Sequence, residues 1–268
     1  MQALQLLNQG KLDEAIESAI QLVRDNPTQA KAREILVELF CVAGDLARAD
    51  KQAETILVQQ PELAMSTSLI RQLLRAETAR RECWNDGRVP EFIGEPDELC
   101  KETLSALVSV RNGNPAEALE ILEKLEEQRS PRAGLLNGKA IEDIRDADDF
   151  CAHILEVLTS TGKYYWIPIS SIQSLEFEPV TRPRDLLWRQ CHLTVEDGPD
   201  GVVYVPALYV NTDSTKDSPE RLGRATDWIG EEGEPVQGVG LRLFLADGEE
   251  CSIMEIESMS IEQAPSLS

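Results

Sequence analysis

Residues 162–189 read GKYYWIPISSIQSLEFEPVTRPRDLLWR. This stretch contains Tyr164, Tyr165, Trp166 and Trp188, which are four of the 13 Phe, Trp and Tyr residues of the chain. Aromatic and β-branched residues favour strands, and short runs of them between turn residues are typical of a β domain. The stretch therefore predicts that the C-terminal half is built on strands, of which residues 164–169 and 174–178 are the first candidates.

The end of this stretch supplies two arginines around a proline. In Arg182-Pro183-Arg184-Asp185 the proline fixes φ near −65°, so the two guanidinium groups could clamp a carboxylate or stack on a tryptophan. One interpretation is structural: the aromatic residues pack a β core, and Arg182, Arg184 and Arg189 pair with acidic neighbours such as Asp185. The other is a protein-recognition surface, because aromatic residues and arginine are enriched at interface hot spots. Catalysis is disfavoured, since the stretch has no His, no Cys and no nucleophile beside a base.

Further strands are predicted after this stretch. The turn residues at 197–201 (DGPDG) and the pair Asp247-Gly248 indicate hairpins. The long segment 211–238 is predicted to be a charged loop, and a loop of that length is more often functional than merely connecting. Trp228 lies in this loop, which favours an exposed anchor, whereas Leu186 and Leu187 beside Trp188 favour its burial. The additional candidate strands are residues 190–196, 202–210, 240–246 and 251–261.

The segment before the stretch is predicted to be a helix. Residues 141–158 (IEDIRDADDFCAHILEVL) carry four aspartates in their first half, Asp143, Asp146, Asp148 and Asp149. These aspartates lack the order of a calcium loop, so they are interpreted as caps of the helix N-terminus and as partners of Arg145. The alternative is an enzyme that uses this acidic cluster together with Arg182 and Arg184.

The N-terminal half contains a repeat. Small residues recur at a spacing of 34, with Gly10 and Ala15 matched by Gly44 and Ala49, and with Leu12 and Pro27 likewise repeated. That spacing is the period of tetratricopeptide repeats, in which glycine permits the turn between two helices and alanine allows their close approach. Further helices are predicted at residues 63–85 and at residues 97–111 with Asp97 as N-cap, and residues 98–128 form a third, degenerate unit.

These patterns together predict an α+β protein. Its N-terminal half, residues 1–138, is a tetratricopeptide-like helical domain, and its C-terminal half, residues 139–268, is an acidic, mostly antiparallel β domain. Each half holds enough apolar residues for a core of its own. We therefore expect each half to be soluble and to melt cooperatively when it is expressed alone.

The composition of the chain disfavours several classes of binding partner. The net charge is −22, with 25 acidic against 9 basic side chains in residues 141–268. Such an acidic surface disfavours binding to nucleic acid or to anionic membranes, because proteins bind both of these partners through Lys and Arg. The first 17 residues do not form a signal peptide, and no apolar run is long enough to span a bilayer, so a cytoplasmic location is expected. Two histidines and six dispersed cysteines do not provide the usual set of ligands for a metal ion, so no metal or cofactor is expected.

The order of several motifs resembles one family. Trp166-Ile167-Pro168, the Arg182 to Arg189 segment and Pro206-Ala207-Leu208-Tyr209 follow one another behind the helical repeat, and Gly223-Arg224-Ala225-Thr226-Asp227-Trp228 comes last. With residues 143–146 (DIRD), this pattern is similar to the ImpE/TagJ family of bacterial type VI secretion accessory proteins. The resemblance covers nearly the whole chain, although the N-terminal half alone indicates only a generic helical repeat.

The resemblance implies a non-enzymatic cytoplasmic adaptor. Family members meet the small subunit of the contractile sheath, through a helix of that subunit, and are linked to the AAA+ ATPase that recycles contracted sheath. A general tetratricopeptide co-chaperone or regulatory scaffold without a link to secretion remains an alternative. The residues that we expect to bind protein are aromatic, arginine or adjacent acidic residues: Tyr164, Trp166, Arg182, Arg184, Asp185, Trp188, Arg189, Arg224, Asp227 and Trp228.

Overall fold

The N-terminal part of the protein is an array of helices. A computed structural model describes residues 2–214 and 219–262, and within them seven α-helices precede the strands. The helices form antiparallel pairs around a longer central helix, α5, which confirms the helical-repeat prediction. Their bounds are α1 Gln2–Asn8, α2 Leu12–Asp25, α3 Ala30–Val42, α4 Leu46–Gln59, α5 Ala64–Asp86, α6 Glu98–Arg111 and α7 Pro115–Gln128.

The repeated small residues do what their spacing predicts. Gly10 and Gly44 follow α1 and α3 with φ of 84° and 73°, a left-handed conformation that favours glycine. Ala15 and Ala49 are fully buried where paired helices touch, so a larger side chain would force the helices apart. The carboxylate of Asp97 accepts the N–H of Cys100 at 2.8 Å, so Asp97 is the N-cap of α6 as expected.

The C-terminal part is mostly antiparallel sheet. Eight strands form the main sheet in the order β2-β1-β13-β6-β7-β8-β4-β5, and two small sheets have the orders β12-β11-β3 and β10-β9. The strands are β1 Gly134–Leu136, β2 Lys139–Ile141, β3 Ile144–Asp146, β4 Ile154–Leu158, β5 Tyr164–Pro168, β6 Ile172–Phe177, β7 Trp188–Val195, β8 Asp200–Pro206, β9 Thr226–Ile229, β10 Gln237–Gly240, β11 Leu243–Ala246, β12 Glu249–Ser252 and β13 Ser258–Ile261.

The predicted helix at residues 141–158 is wrong. This segment forms β3, a turn and β4 instead. All five residues of β4 are buried, so its apolar run lacks the alternation that marks a half-exposed strand. Its aspartates cap no helix; the carboxylate of Asp148 accepts the N–H of Phe150 at 2.9 Å and that of Gly238 at 2.8 Å, which holds the turn.

Other boundaries also differ from the sequence-based expectation. The predicted strands at 240–246 and 251–261 are each divided, into β10 and β11 and into β12 and β13. The predicted loop 211–238 contains β9 and the start of β10, while residues 215–218 of that loop lie outside the described residues. The first strand begins at Gly134, ahead of the expected division at residue 138. Both hairpin predictions are confirmed by the β7–β8 and β11–β12 pairs.

The helices and the main sheet share one hydrophobic cluster. Trp84 of α5 packs against Phe150 and Trp166, with ring centroids 5.9 and 6.4 Å apart. Ile154 and Leu158 of β4 belong to this shared cluster, whereas Leu155 and Val157 face a second cluster on the other side of the sheet. The helical array therefore packs through its central helix on one face of the sheet. Within the described residues, no helix is both long and apolar enough to cross a bilayer.

Candidate functional site

A buried ion network lies where the helices meet the sheet. The guanidinium of Arg80 in α5 donates to both carboxylate oxygens of Glu156 in β4, at 2.8 and 2.9 Å. Arg242, beside β11, donates to Glu156 and, at 2.7 Å, to Asp146 of β3. None of these four side chains is more than 3% exposed. Each charge in the network is thus compensated inside the protein.

Aromatic donors complete the shell around Glu156. The hydroxyl of Tyr164 donates to its carboxylate at 2.5 Å, and the indole N–H of Trp84 donates at 3.0 Å. Burial alone would raise the pKa of Glu156, but the charges of Arg80 and Arg242 outweigh burial and lower it. The pKa of Tyr164 is raised, first by its burial and then by the charge of Glu156. The ionised carboxylate of Glu156 thus links β4 to α5 through its contacts with Arg80 and Trp84.

The acidic cluster at residues 143–149 is divided among several separate contacts. Asp143 pairs with Arg129 of the α7 C-terminus, and Asp146 accepts the hydroxyl of Tyr209 at 2.8 Å. Burial, and then the charge of Asp146, raises the pKa of Asp148 to about 7. Arg182 is not beside the cluster but pairs with Glu38 of α3. The structure therefore does not bring together the groups of the alternative enzyme.

Four of the ten expected protein-binding residues are interior. Tyr164 and Trp166 are buried under α5, and Trp166 donates its indole N–H to the Tyr164 hydroxyl at 2.5 Å. Trp188 is buried with its indole N–H directed to Glu77 of α5 at 3.2 Å. Arg189 donates to the backbone carbonyls of Ile253 and Ile256. The three aromatic side chains join the sheet to α5, whereas Arg189 binds the segment between β12 and β13. All four are therefore engaged inside the protein.

The Arg-Pro-Arg-Asp turn lies against the helices. Asp185 accepts the backbone N–H groups of Thr181 and Arg182 at 2.9 and 3.0 Å, which fixes the turn. Arg182 is 3.6 Å from Glu38, whose pKa is raised by burial, and Arg184 is 3.8 Å from Asp185. The carboxylate that the turn engages is therefore one of the chain's own. A cleft of about 150 Å³ remains between this turn, α3 and α5.

The β9–β10 hairpin carries the exposed tryptophan of the predicted surface. Trp228 is 36% exposed and its ring centroid is 6.0 Å from that of Tyr209. Its register partner is Gly238, whose Cα faces the ring of Tyr209. Two further apolar residues of this hairpin are exposed, Ile229 at 45% and Val236 at 43%. The exposed Asp227 adjoins Trp228. We call the face formed by Trp228, Val236 and the carboxylates of this hairpin the Trp228 face.

Arg224 is not part of the Trp228 face. Its guanidinium donates to the carbonyls of Leu7 and Asn8, each at 2.9 Å, at the turn between α1 and α2. Arg221 likewise reaches the carbonyl of Ala43 after α3, at 2.6 Å. These arginines and Trp188 attach the C-terminal part to the ends of the helices. The side of the helical array that faces the sheet is consequently covered by the chain itself.

Sequence reasoning missed the residues of the ion network. Glu156 stands alone in the apolar run His153 to Leu158, and Arg242 stands alone between Val239 and Leu245. A single charge inside an apolar run is the available signal, because such a charge must be paired when the run is buried. No spacing identifies the partner, since Arg80 lies 76 residues from Glu156. In the part of the chain that the structure describes, no group of three His, Cys, Asp or Glu residues could hold a metal ion.

Comparisons with known proteins extend over the whole chain. The family model described as "ImpE protein" matches residues 138–260. The chain is 30% identical over 262 residues to the type VI secretion system accessory component TagJ of Pseudomonas aeruginosa. The aligned region covers 98% of this chain and 92% of that protein. It is also similar to a crystal structure of a Vibrio parahaemolyticus protein, with 28% identity, a TM-score of 0.92 and complete coverage of both chains.

Proposed function

This chain belongs to the ImpE/TagJ family, and from that premise we propose that it is a non-enzymatic adaptor in a type VI secretion system. Its partner is the small subunit of the contractile sheath, held through a helix of that subunit. The adaptor is linked to the AAA+ ATPase that recycles the sheath, and it acts in the cytoplasm. The accessory role named for the Pseudomonas relative supports this proposal.

The observation that carries the proposal is the exposure of the Trp228 face. Tryptophan is a typical anchor of protein interfaces, and the same hairpin carries a further exposed apolar residue, Val236. Residues 226–240 contain four carboxylates and no lysine or arginine. An amphipathic helix with apolar residues flanked by basic ones would complement this arrangement in both shape and charge.

The position of the sheet also favours this face. Repeat proteins commonly hold a partner in the groove of the array, but here Trp188, Arg221 and Arg224 bring the chain's own C-terminal part onto the helices. The cleft that remains beside Arg182 is small, at about 150 Å³. The larger cleft between α4 and α5 has three arginines in its lining, so a partner helix with basic residues is better matched in charge by the acidic hairpin.

Affinity for the sheath small subunit tests the proposal. We expect Trp228→Ala to weaken binding by about 2 kcal/mol or more, as interface anchors do, measured by calorimetry with the purified subunit. Val202→Ala is the matched control, since Val202 is an apolar residue of β8 that is 50% exposed and lies away from the hairpin. Equal affinity of the two variants and the unaltered protein would show that the partner docks elsewhere.

The acidic residues of the hairpin give a second readout. Replacing both Glu231 and Glu232 by Lys should slow association and reduce its dependence on salt, because rim charges act mainly on the association rate. Glu17→Lys on α2 changes one exposed charge far along the chain and should leave the rate nearly unaltered. A common slowing of both variants would indicate that only the net charge matters.

A further inference from the structure

A cleft of about 570 Å³ opens between α4 and α5. On α5, Arg71, Arg75 and Thr78 share one helix face, and the residues that contact the sheet, such as Arg80 and Trp84, share roughly the opposite face. The cleft therefore lies away from the α5 face that packs on the sheet, although the β4–β5 turn at Gly162 lies beside Arg75. The opposite wall is the start of α4, from Gly44 to Asp50.

The lining of this cleft has an excess of positive charge. It includes Arg71, Arg75 and Arg81 against the carboxylates of Asp45 and Asp50, in a chain whose net charge is −22. Asp50 binds Arg71 with both oxygens, at 2.6 and 3.0 Å. Asp45 accepts the backbone N–H of Arg48 at 3.0 Å and so caps α4. Both carboxylates of the lining are thus already engaged.

Arg75 stands apart from the other arginines of the lining. Its side chain is exposed and makes no ion pair or hydrogen bond with any residue in the described ranges 2–214 and 219–262. Arg81, by contrast, is oriented by the carbonyl of Gly44 at 2.9 Å and by Glu77 at 3.3 Å. Arg71 is likewise engaged, by Asp50, so among the three arginines of the lining it is Arg75 whose guanidinium has no partner within the described residues. The cleft consequently offers a guanidinium to an external acceptor.

We propose that this cleft binds an acidic segment of a protein partner, with Arg75 as the principal contact to a carboxylate. The planar guanidinium matches a carboxylate in a bidentate geometry, which favours this ligand class. Leu46 and Leu74 in the lining supply apolar contact for the aliphatic part of a peptide. Nucleic acid is disfavoured because the remainder of the surface would repel its phosphates.

The cleft and the Trp228 face have opposite charge and share no residue. A basic helix on the hairpin and an acidic segment in the cleft could therefore be held at the same time. The acidic-segment proposal does not depend on sheath binding. It can fail or succeed whether or not Trp228 is an anchor.

Fluorescence anisotropy with a labelled oligoglutamate peptide tests the cleft in the full-length protein. We expect saturable binding at low ionic strength, and Arg75→Glu should weaken it about tenfold or more, because a charge-assisted contact becomes a repulsion. Arg24→Glu is the matched control: Arg24 is an exposed arginine of α2 outside the cleft, so its reversal changes the net charge equally. An oligolysine peptide of equal length should not show the Arg75 dependence.

Three results would overturn the proposal. The first is an absence of oligoglutamate binding by the unaltered protein at low ionic strength. The second is an equal loss in Arg75→Glu and Arg24→Glu, which would indicate attraction by net charge alone. The third is displacement of the peptide by free glutamate at the same concentration as unlabelled peptide, which would reduce the cleft to a simple anion site. Circular dichroism of each variant establishes that it is folded. Within the described residues Arg75 makes no hydrogen bond or ion pair that its replacement would break, and only its aliphatic part lies beside Gly162.

Discussion

Arg80 of α5 forms a bidentate ion pair with Glu156 of β4, at 2.8 and 2.9 Å, with both side chains inside the protein. The pair joins a helix of the N-terminal array to a buried strand of the main sheet across 76 positions of sequence. A buried pair is not by itself strong evidence for stability, since desolvation opposes its attraction. The consequence of breaking it is nevertheless large, because the remaining partner is left charged and buried.

Removing the charge of Glu156 should therefore be severe. Glu156→Gln leaves Arg80 and Arg242 facing a neutral amide, and we expect the free energy of unfolding to fall by about 3–5 kcal/mol. Urea unfolding measures this loss. Lys101→Ala is the control, because Lys101 pairs with Glu98 on the exposed surface at 3.7 Å and its loss should cost less than about 1 kcal/mol. Similar midpoints for the two variants would contradict the assigned role.

Trp188 should matter for stability and not for recognition. Its side chain is 4% exposed and donates to Glu77, so Trp188→Ala should lower the unfolding free energy by about 3–5 kcal/mol. Trp228→Ala should cost less, since Trp228 is 36% exposed and packs mainly on Tyr209. Thermal melts of the two variants side by side provide the comparison. A larger loss for Trp228 would reverse these assignments.

The separated halves should be less stable than their apolar content suggests. Sequence alone predicts that residues 1–138 and 139–268 each fold, but Trp84, Phe150 and Trp166 belong to one cluster that spans both. Separation would expose this cluster and leave Arg80 without Glu156. We now expect each half alone to aggregate or melt without cooperativity, and we expect co-expression to restore a soluble complex. Cooperative melting of both isolated halves would instead support two independent domains.

Asp148 should make stability decrease as pH rises towards neutrality. Its pKa of about 7 in the folded protein exceeds the value near 3.9 of an unfolded aspartate, so between these values the folded state binds more protons. The stabilisation is complete below pH of about 4 and is lost as the pH rises through about 7. Asp148→Asn removes this dependence. The unfolding free energy of the variant should lack the decrease that Asp148 contributes.

His153 should oppose Asp148 over part of this range. Burial lowers the pKa of His153 to about 4, so its unfolded form binds more protons between that value and about 6.5. Its contribution therefore destabilises the fold as pH falls through this window. Unfolding measured from pH of about 5 to 8 should show a steeper rise with pH in Asp148→Asn and a steeper fall in His153→Gln than in the unaltered protein. Parallel profiles for all three proteins would rule out both titrations.

The helical repeat could be predicted because its signals are local. Gly10, Ala15 and their counterparts one period later are determined by the contact between neighbouring helices, so their spacing appears directly in the sequence. The strand β4 could not be predicted in this way. Its two faces are both covered, one by α5 and one by the second cluster, so the alternation that identifies strands is absent.

For the residues expected to bind protein, burial or exposure could be predicted only where the neighbouring residues in the sequence indicate it. Leu186 and Leu187 favoured burial of Trp188, and the charged segment around Trp228 favoured exposure, as the structure has them. The same sequence analysis nevertheless included Trp188 among the residues expected to bind protein. Nothing near Tyr164 or Trp166 indicated that α5 would cover them. Arg75 carried no signal either, because its lack of a partner depends on where every carboxylate of the described chain lies.

The arginine contacts of the C-terminal part have a mechanical consequence. An open solenoid can bend like a spring, because each unit touches only its neighbours. In this protein Arg224 holds the turn after α1, Arg221 holds the end of α3, and Arg80 holds α5. The array is therefore fixed to the C-terminal part at three successive points along its length, so we expect it to bend less than an open solenoid of the same size.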